Sequence, residues 1–269
     1  GGVVCQCAHV LPIRLRISVK VSISASPRPA NSRSTSASWP AASRSKAAMP
    51  VSVSATWIVR RSLAEGVRLT SAPNDIGCVR KTMQVHLDPG RPAVTIEHTL
   101  TNLGAEELEC APWAITQMAS GGWAVVPNAP SGLNSNPYLP DRTLALWPYS
   151  RLNDPRLKFT DDLVLVCADS TVPALKIGLS SSAGWLGYYH EGVFFRKQAQ
   201  PDWGQPYPDF GCNLEVYVDH RFLELETLGP LTRLPPGGSL SHRETWQIWT
   251  GLGAPNTPEA AAELAKAHP

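Results

Sequence analysis

From Val67 onward the chain alternates apolar and polar residues with a period of two, and Gly, Pro and Asn break that alternation every few residues. Only a pleated strand sends successive side chains to opposite faces, so the pattern restricts this region to sheet. Met83, Val85 and Leu87 alternate with Gln84 and His86 before the turn Asp88-Pro89-Gly90. Val94, Ile96, His98 and Leu100 alternate with Thr95, Glu97, Thr99 and Thr101 before Asn102-Leu103-Gly104. Further strands are expected at Leu163–Val166, Ala174–Leu179, Trp185–Tyr189, Val193–Lys197, Asn213–Val218, Phe222–Thr227 and Leu240–Trp249. Many short strands without helical periods between them predict an all-β sandwich. One helix is expected, at Pro258–Ala267, where Thr257 can cap and Pro258 suits the first turn.

The remainder of the chain reads differently. No acidic residue precedes Glu65, while nine of the 24 basic residues lie before it. Ser22–Ser45 is almost entirely Ser, Ala, Arg and Pro, a composition that cannot bury enough apolar surface to order itself. Within it and its flanks only Leu11–Ile23 alternates like a strand. The expected organisation is a low-complexity, poorly ordered segment over 1–64, a sandwich over 65–252 and a tail with a short helix over 253–269. The first segment is open to three readings: a basic arm, a linker, or an out-of-frame translation product. Arg14, Arg16 and Lys20 interrupt what would be the apolar region of a signal peptide, so none is expected and the compartment stays open.

Removing the basic first segment leaves a body with an acidic excess, which offers no electrostatic footing for nucleic acid or anionic lipid. No apolar run approaches the ~18 residues of a membrane span. The six cysteines show no paired metal spacing, and Cys5-x-Cys7-x-His9 supplies too few ligands for zinc. Neither a metal nor another cofactor is expected. The four later cysteines read as buried thiols. The oligomeric state is not encoded in any pattern here.

Candidate functional residues come from strand phase. Asn213, Glu215, Tyr217 and Asp219 share one face, and Phe222, Glu224 and Glu226 share one in the next strand. Acidic groups from neighbouring strands can therefore line one surface, although alternating polar positions usually form a solvated exterior. His242, Glu244 and Trp246 fall in phase with apolar Leu240 and Ile248, and His98 with Ile96 and Leu100. A lone histidine on an apolar face is more often a hydrogen-bonded core residue than a reactive one. The long segment Pro127–Asp162 carries Arg142, Trp147 and Tyr149 and reads as an ordered, functional loop. Aromatic faces cover sugar C–H faces, but any one aromatic is more often core.

Around His98, Trp113 and Glu226 the sequence resembles a known family. "VTIEHTLTNLGAEELECAPWAITQMASGG" and "FLELETLGPLTRLPPGGSLSHRETWQIW" are similar to the central hairpin and the end of galactose-mutarotase-like proteins. "APWAITQMASGG", "LALWPY", "NDPRLKFTDD" and "YPDFGCNLEVY" resemble, more narrowly, the DUF4380 branch of that superfamily. The resemblance spans roughly Val67–Gly251 and implies a galactose-mutarotase-like β-sandwich, or supersandwich, that binds a carbohydrate. It implies an aldose-epimerase-like reaction in which Glu226 removes the anomeric proton. The family's histidine acid would fall at Ala111–Ala114, where this chain has none. His98 and Lys197 are then the candidate acids, and Trp113, Arg142, Trp147, Tyr149, Asn213 and Glu215 the candidate sugar contacts. Two alternatives stand beside that reading: a sugar-binding module without turnover, and a carboxylate-pair glycoside hydrolase or lyase.

Overall fold

The computed structural model describes residues 16–23, 57–63, 66–73, 78–131, 136, 138–169, 173–255 and 257–268. Among the described residues seventeen strands and two helical segments follow in order. The strands are β1 (Arg16–Ile23), β2 (Trp57–Leu63), β3 (Gly66–Ser71), β4 (Val79–Leu87), β5 (Ala93–Asn102), β6 (Leu108–Ala119), β7 (Trp123–Pro127), β8 (Leu144–Leu146) and β9 (Leu157–Phe159). They continue as β10 (Leu163–Cys167), β11 (Leu175–Leu179), β12 (Trp185–His190), β13 (Val193–Gln198), β14 (Leu214–Val218), β15 (Phe222–Leu228), β16 (Thr232–Leu234) and β17 (Ser239–Thr250). The turn α1 (Pro208–Gly211) precedes β14, and the helix α2 (Pro258–Ala267) ends the chain.

The strands form two antiparallel sheets. The smaller has seven strands in the order β1-β6-β15-β14-β11-β8, with β16 also on β6. The larger has ten, in the order β2-β3-β4-β5-β17-β13-β12-β7-β10-β9. Their facing surfaces interdigitate in one core that includes Ile96, Met118, Ile177, Tyr188, Phe195, Val216, Leu225 and Trp246. Glu191 and Gly192 both take positive φ, 45° and 79°, which gives the β12–β13 hairpin the left-handed pair that a two-residue connection requires.

The two outer faces are covered differently, and that difference places the site. On the larger sheet, α2 lays Ala261 and Leu264 against Trp185, Tyr189 and Phe194. Thr257 caps this helix by accepting the Ala260 N–H at 3.2 Å. On the smaller sheet no helix intervenes among the described residues; loops bring Trp203 and Tyr207 onto Trp113, Ile115 and Leu228.

The expected strands and the terminal helix are present, with ends displaced by at most two residues except in β4, which begins four residues before Met83. Pro127–Asp162 contains two short strands, β8 and β9, which attach to opposite sheets. β1 and β2 lie inside the segment expected to be low in order, and each joins a sheet; the rest of that segment, with Leu11–Arg14 and Cys5-x-Cys7-x-His9, lies outside the described residues. Cys110 and Cys212 are buried thiols, but Cys78 is exposed and Cys167 half-buried. Both of these stand at the edge of a strand region, where burial on one side is incomplete.

Candidate functional site

Lys176 lies in β11 between Leu175 and Ile177, whose side chains enter the core, so its own projects from the outer face of the smaller sheet. Glu215 on β14 and Glu226 on β15 are directly opposite each other in register and project on the same side. The Lys176 Nζ lies 2.6 Å from Glu215 Oε2 and 2.7 Å from Glu226 Oε2. The Trp113 indole N–H, on β6, donates to the same Glu226 oxygen at 2.5 Å. Aromatic faces close over the ammonium: Nζ is 4.4 Å from the Trp113 ring centroid and 4.7 Å from that of Trp147. Such cation–π contacts strengthen as water is excluded. Ser150 fixes the overlying loop, because its hydroxyl accepts the Lys176 N–H at 2.8 Å and donates to the Lys176 carbonyl at 2.6 Å. That anchor holds Trp147 and Tyr149 beside the acidic pair.

The cluster is buried yet incompletely satisfied. Lys176 is 5% exposed, and Glu215 and Glu226 are 0% exposed. Among the described residues Oε1 of each glutamate has no hydrogen-bond partner. Burial pushes the Glu215 carboxyl well above the usual range; Lys176 opposes this, while Glu226 and Asp209 reinforce it. Burial works against the Lys176 ammonium, but Glu226 and Glu215 outweigh it and hold the amine protonated. One lysine cannot neutralise two carboxylates, and Glu215 is the one whose surroundings favour keeping its proton. The Tyr149 phenol, half exposed, is pushed up to about 12 by partial burial.

A second buried polar cluster lies between the sheets. Lys197 Nζ is 2.8 Å from Glu244 Oε1 and donates to the Ala114 carbonyl and the Thr116 hydroxyl at 3.1 Å. His98 Nε2 meets Glu244 Oε2 at 3.1 Å, and Trp246 Nε1–H donates to that oxygen at 3.3 Å. Thr227 bridges Glu244 Oε1 and His242 Nε2. Burial depresses the His242 imidazole to about 4. Burial would raise Glu244, but Lys197 and His98 prevail and hold it far below the carboxylate range.

The structure therefore divides the residues that sequence placed together. Glu226, Glu215, Trp113, Trp147 and Tyr149 converge, and Lys176, which phase analysis did not single out, is the group that joins them. His98 and Lys197 do not reach Glu226: they project inward from the larger sheet, whereas Glu226 projects outward from the smaller one. The single site combining Glu226, Glu215, His98 and Lys197 is corrected accordingly. Arg142 is exposed and donates to the Asp161 carbonyl at 2.9 Å. Asn213 is structural, exchanging hydrogen bonds with the Ser181 backbone at 2.8 and 3.0 Å. Among the described residues no group of three His, Cys, Asp or Glu is placed to hold a metal ion. No helix among them is long and apolar enough to cross a membrane.

The protein thus falls in the class of two-sheet antiparallel sandwiches with an acidic, aromatic-covered cluster on one outer face. Its fold is similar to that of a galactose mutarotase-like protein from Lactobacillus casei ATCC 334, at 13% identity and a TM-score of 0.48 over 72% of this chain and 73% of that one. A galactose mutarotase related enzyme from Lactobacillus acidophilus matches at 9% identity and 0.48 over 74% of this chain and 73% of its own. A protein from Synechocystis sp. PCC 6803 matches at 14% and 0.45 over 73% of this chain and 66% of its own. The chain spans about two thirds to three quarters of the length of these structures. No family model matches the sequence, nor does any curated protein, so the DUF4380 likeness stands on the quoted motifs alone.

Proposed function

We propose that the outer face of the smaller sheet binds a carbohydrate and that Glu226 acts there as the base of an aldose-epimerase-like proton transfer. The observation that carries this reading is the Lys176-bridged pair Glu215 and Glu226, buried under indole rings with one unpartnered oxygen, Oε1, on each carboxyl. Indole faces suit the C–H face of a pyranose, and open carboxyl oxygens suit its hydroxyls. A carboxyl whose surroundings raise its proton affinity, as at Glu215, is the usual material of a general acid. In this reading Glu226 Oε1 takes the anomeric hydroxyl proton while protonated Glu215, in place of the histidine the chain lacks, donates to the ring oxygen. The bond from the anomeric carbon to the ring oxygen breaks as a carbonyl forms at that carbon, and reclosure on the other face returns both protons. Lys176 positions both.

Binding without turnover is the second reading. It is favoured by the double engagement of Glu226 Oε2 by Trp113 and Lys176, which ties that carboxylate into the fold.

Exchange NMR of galactose and glucose anomers, paired with calorimetry, tests the reading. Accelerated interconversion that falls by about 10²–10⁴-fold in Glu226→Gln supports catalysis. Sugar binding with no acceleration supports the second reading, and absence of any binding defeats both.

A further inference from the structure

The loop between β13 and β14 carries an aromatic ring that sugar binding at Glu215 and Glu226 does not use. This loop is pinned at two buried residues, Tyr207 and Cys212. Tyr207 packs on Trp203, with ring centroids 5.1 Å apart, and its hydroxyl accepts the Asp202 N–H at 2.8 Å. The Cys212 N–H donates to the Pro208 carbonyl at 3.1 Å. Its sulfur fills the space beside Gly178: a Cβ there would meet Cys212 Sγ at 2.8 Å and Glu215 Cγ at 3.4 Å. Cys212 and Glu215 are thus near neighbours, and Tyr207 packs in one cluster with Trp113, so both pins of the loop abut the site.

Between the two pins Asp209, Phe210 and Gly211 take φ of 48°, 62° and 90°. Two successive non-glycine residues in the left-handed region are unfavourable, and bulky Phe especially so. Phe210 gains no burial in return, being 90% exposed. Strained backbone of this kind clusters at ligand-binding positions, held there by the structure around it, here the two pins. Asp209 precedes that ring in the chain and is among the groups that raise the Glu215 carboxyl. One aromatic face next to a carboxylate matches a sugar ring, which has an apolar C–H face and a hydroxyl edge. A protein partner would call for a wider apolar patch.

We propose that Phe210 is the platform of a second sugar subsite, so that the ligand is a disaccharide or longer glycan. One ring occupies the Glu215–Glu226 site and the next stacks on Phe210, with Asp209 accepting from its hydroxyls. This rests on the carbohydrate reading above.

Calorimetry with galactose, glucose, lactose, cellobiose and maltose on the full chain tests it. The expected result is at least tenfold tighter binding of one disaccharide than of its component monosaccharides. Phe210→Ala, a change at an exposed ring, removes that excess and leaves monosaccharide affinity unchanged, while Phe210→Trp retains it. Equal affinities in the unsubstituted protein, or an excess that survives Phe210→Ala, overturn the subsite and leave the primary site standing. Binding of none of the five sugars overturns both. Sedimentation revealing a dimer that Phe210→Ala abolishes assigns the ring to self-association and also overturns the subsite.

Discussion

The smaller sheet's outer face and the space between the sheets each hold a buried lysine paired with glutamate, and they are finished to different standards. Between the sheets Lys197 meets a carboxylate, a hydroxyl and backbone carbonyls, and both Glu244 oxygens are engaged. On the outer face Lys176 is shared by two carboxylates, and an oxygen of each is left over. Buried polar groups are normally satisfied, so leftover capacity is what separates a site from a structural network. The inner cluster leaves a single ring nitrogen over, His98 Nδ1, whereas the outer one leaves a carboxyl oxygen on each of two glutamates.

The sharpest way to break this comparison is to remove each lysine. Lys197→Met strands Glu244 in the core and is expected to cost about 3–5 kcal/mol, read by denaturant unfolding. A loss below about 1 kcal/mol would deny the inner cluster its structural role.

Acid sharpens the comparison further. His242 is held at about 4 against an ordinary 6.5, so the folded state takes its proton later than the unfolded chain does. The stability this contributes is complete above pH 6.5 and is lost as pH falls to about 4, reaching about 3 kcal/mol. Glu244, also depressed, continues the loss at lower pH. His242→Asn should flatten the slope between pH 6.5 and 4; an unchanged slope would place the acid sensitivity elsewhere.

Glu215 has the opposite sign. Its raised affinity for protons means that stability falls as pH rises above the ordinary glutamate value of 4.5. Glu215→Gln should therefore stabilise the protein at pH 7 by about 1 kcal/mol, with the gain vanishing below pH 4. Equal gains at both pH values would show that Glu215 is ionised in the fold.

How much of this could be read from the chain depends on what period two can encode. The alternation in β14 and β15 put Glu215 and Glu226 on one side of adjacent strands, and register then set them face to face. Period two does not say which side of which sheet faces inward, so His98 and Lys197 were grouped with Glu226 although they lie across the smaller sheet from it. Lys176 escaped notice because a lone lysine in an apolar strand reads as a solvated position; its phase partner Gly178, which makes room for Cys212 and Glu215, was the available signal. β6 is buried on both faces over most of its length, which erases alternation, and only the motif resemblance pointed to it.

Two indole protons report on the two clusters separately: Trp113 N–H donates to Glu226, and Trp246 N–H donates to Glu244. Following both indole ¹H–¹⁵N resonances while galactose, glucose and their disaccharides are added is the most direct test of the central claim. Outer-face binding predicts that the Trp113 resonance moves and the Trp246 resonance stays in place. Movement of Trp246 with Trp113 unchanged would put the ligand between the sheets and contradict the assignment.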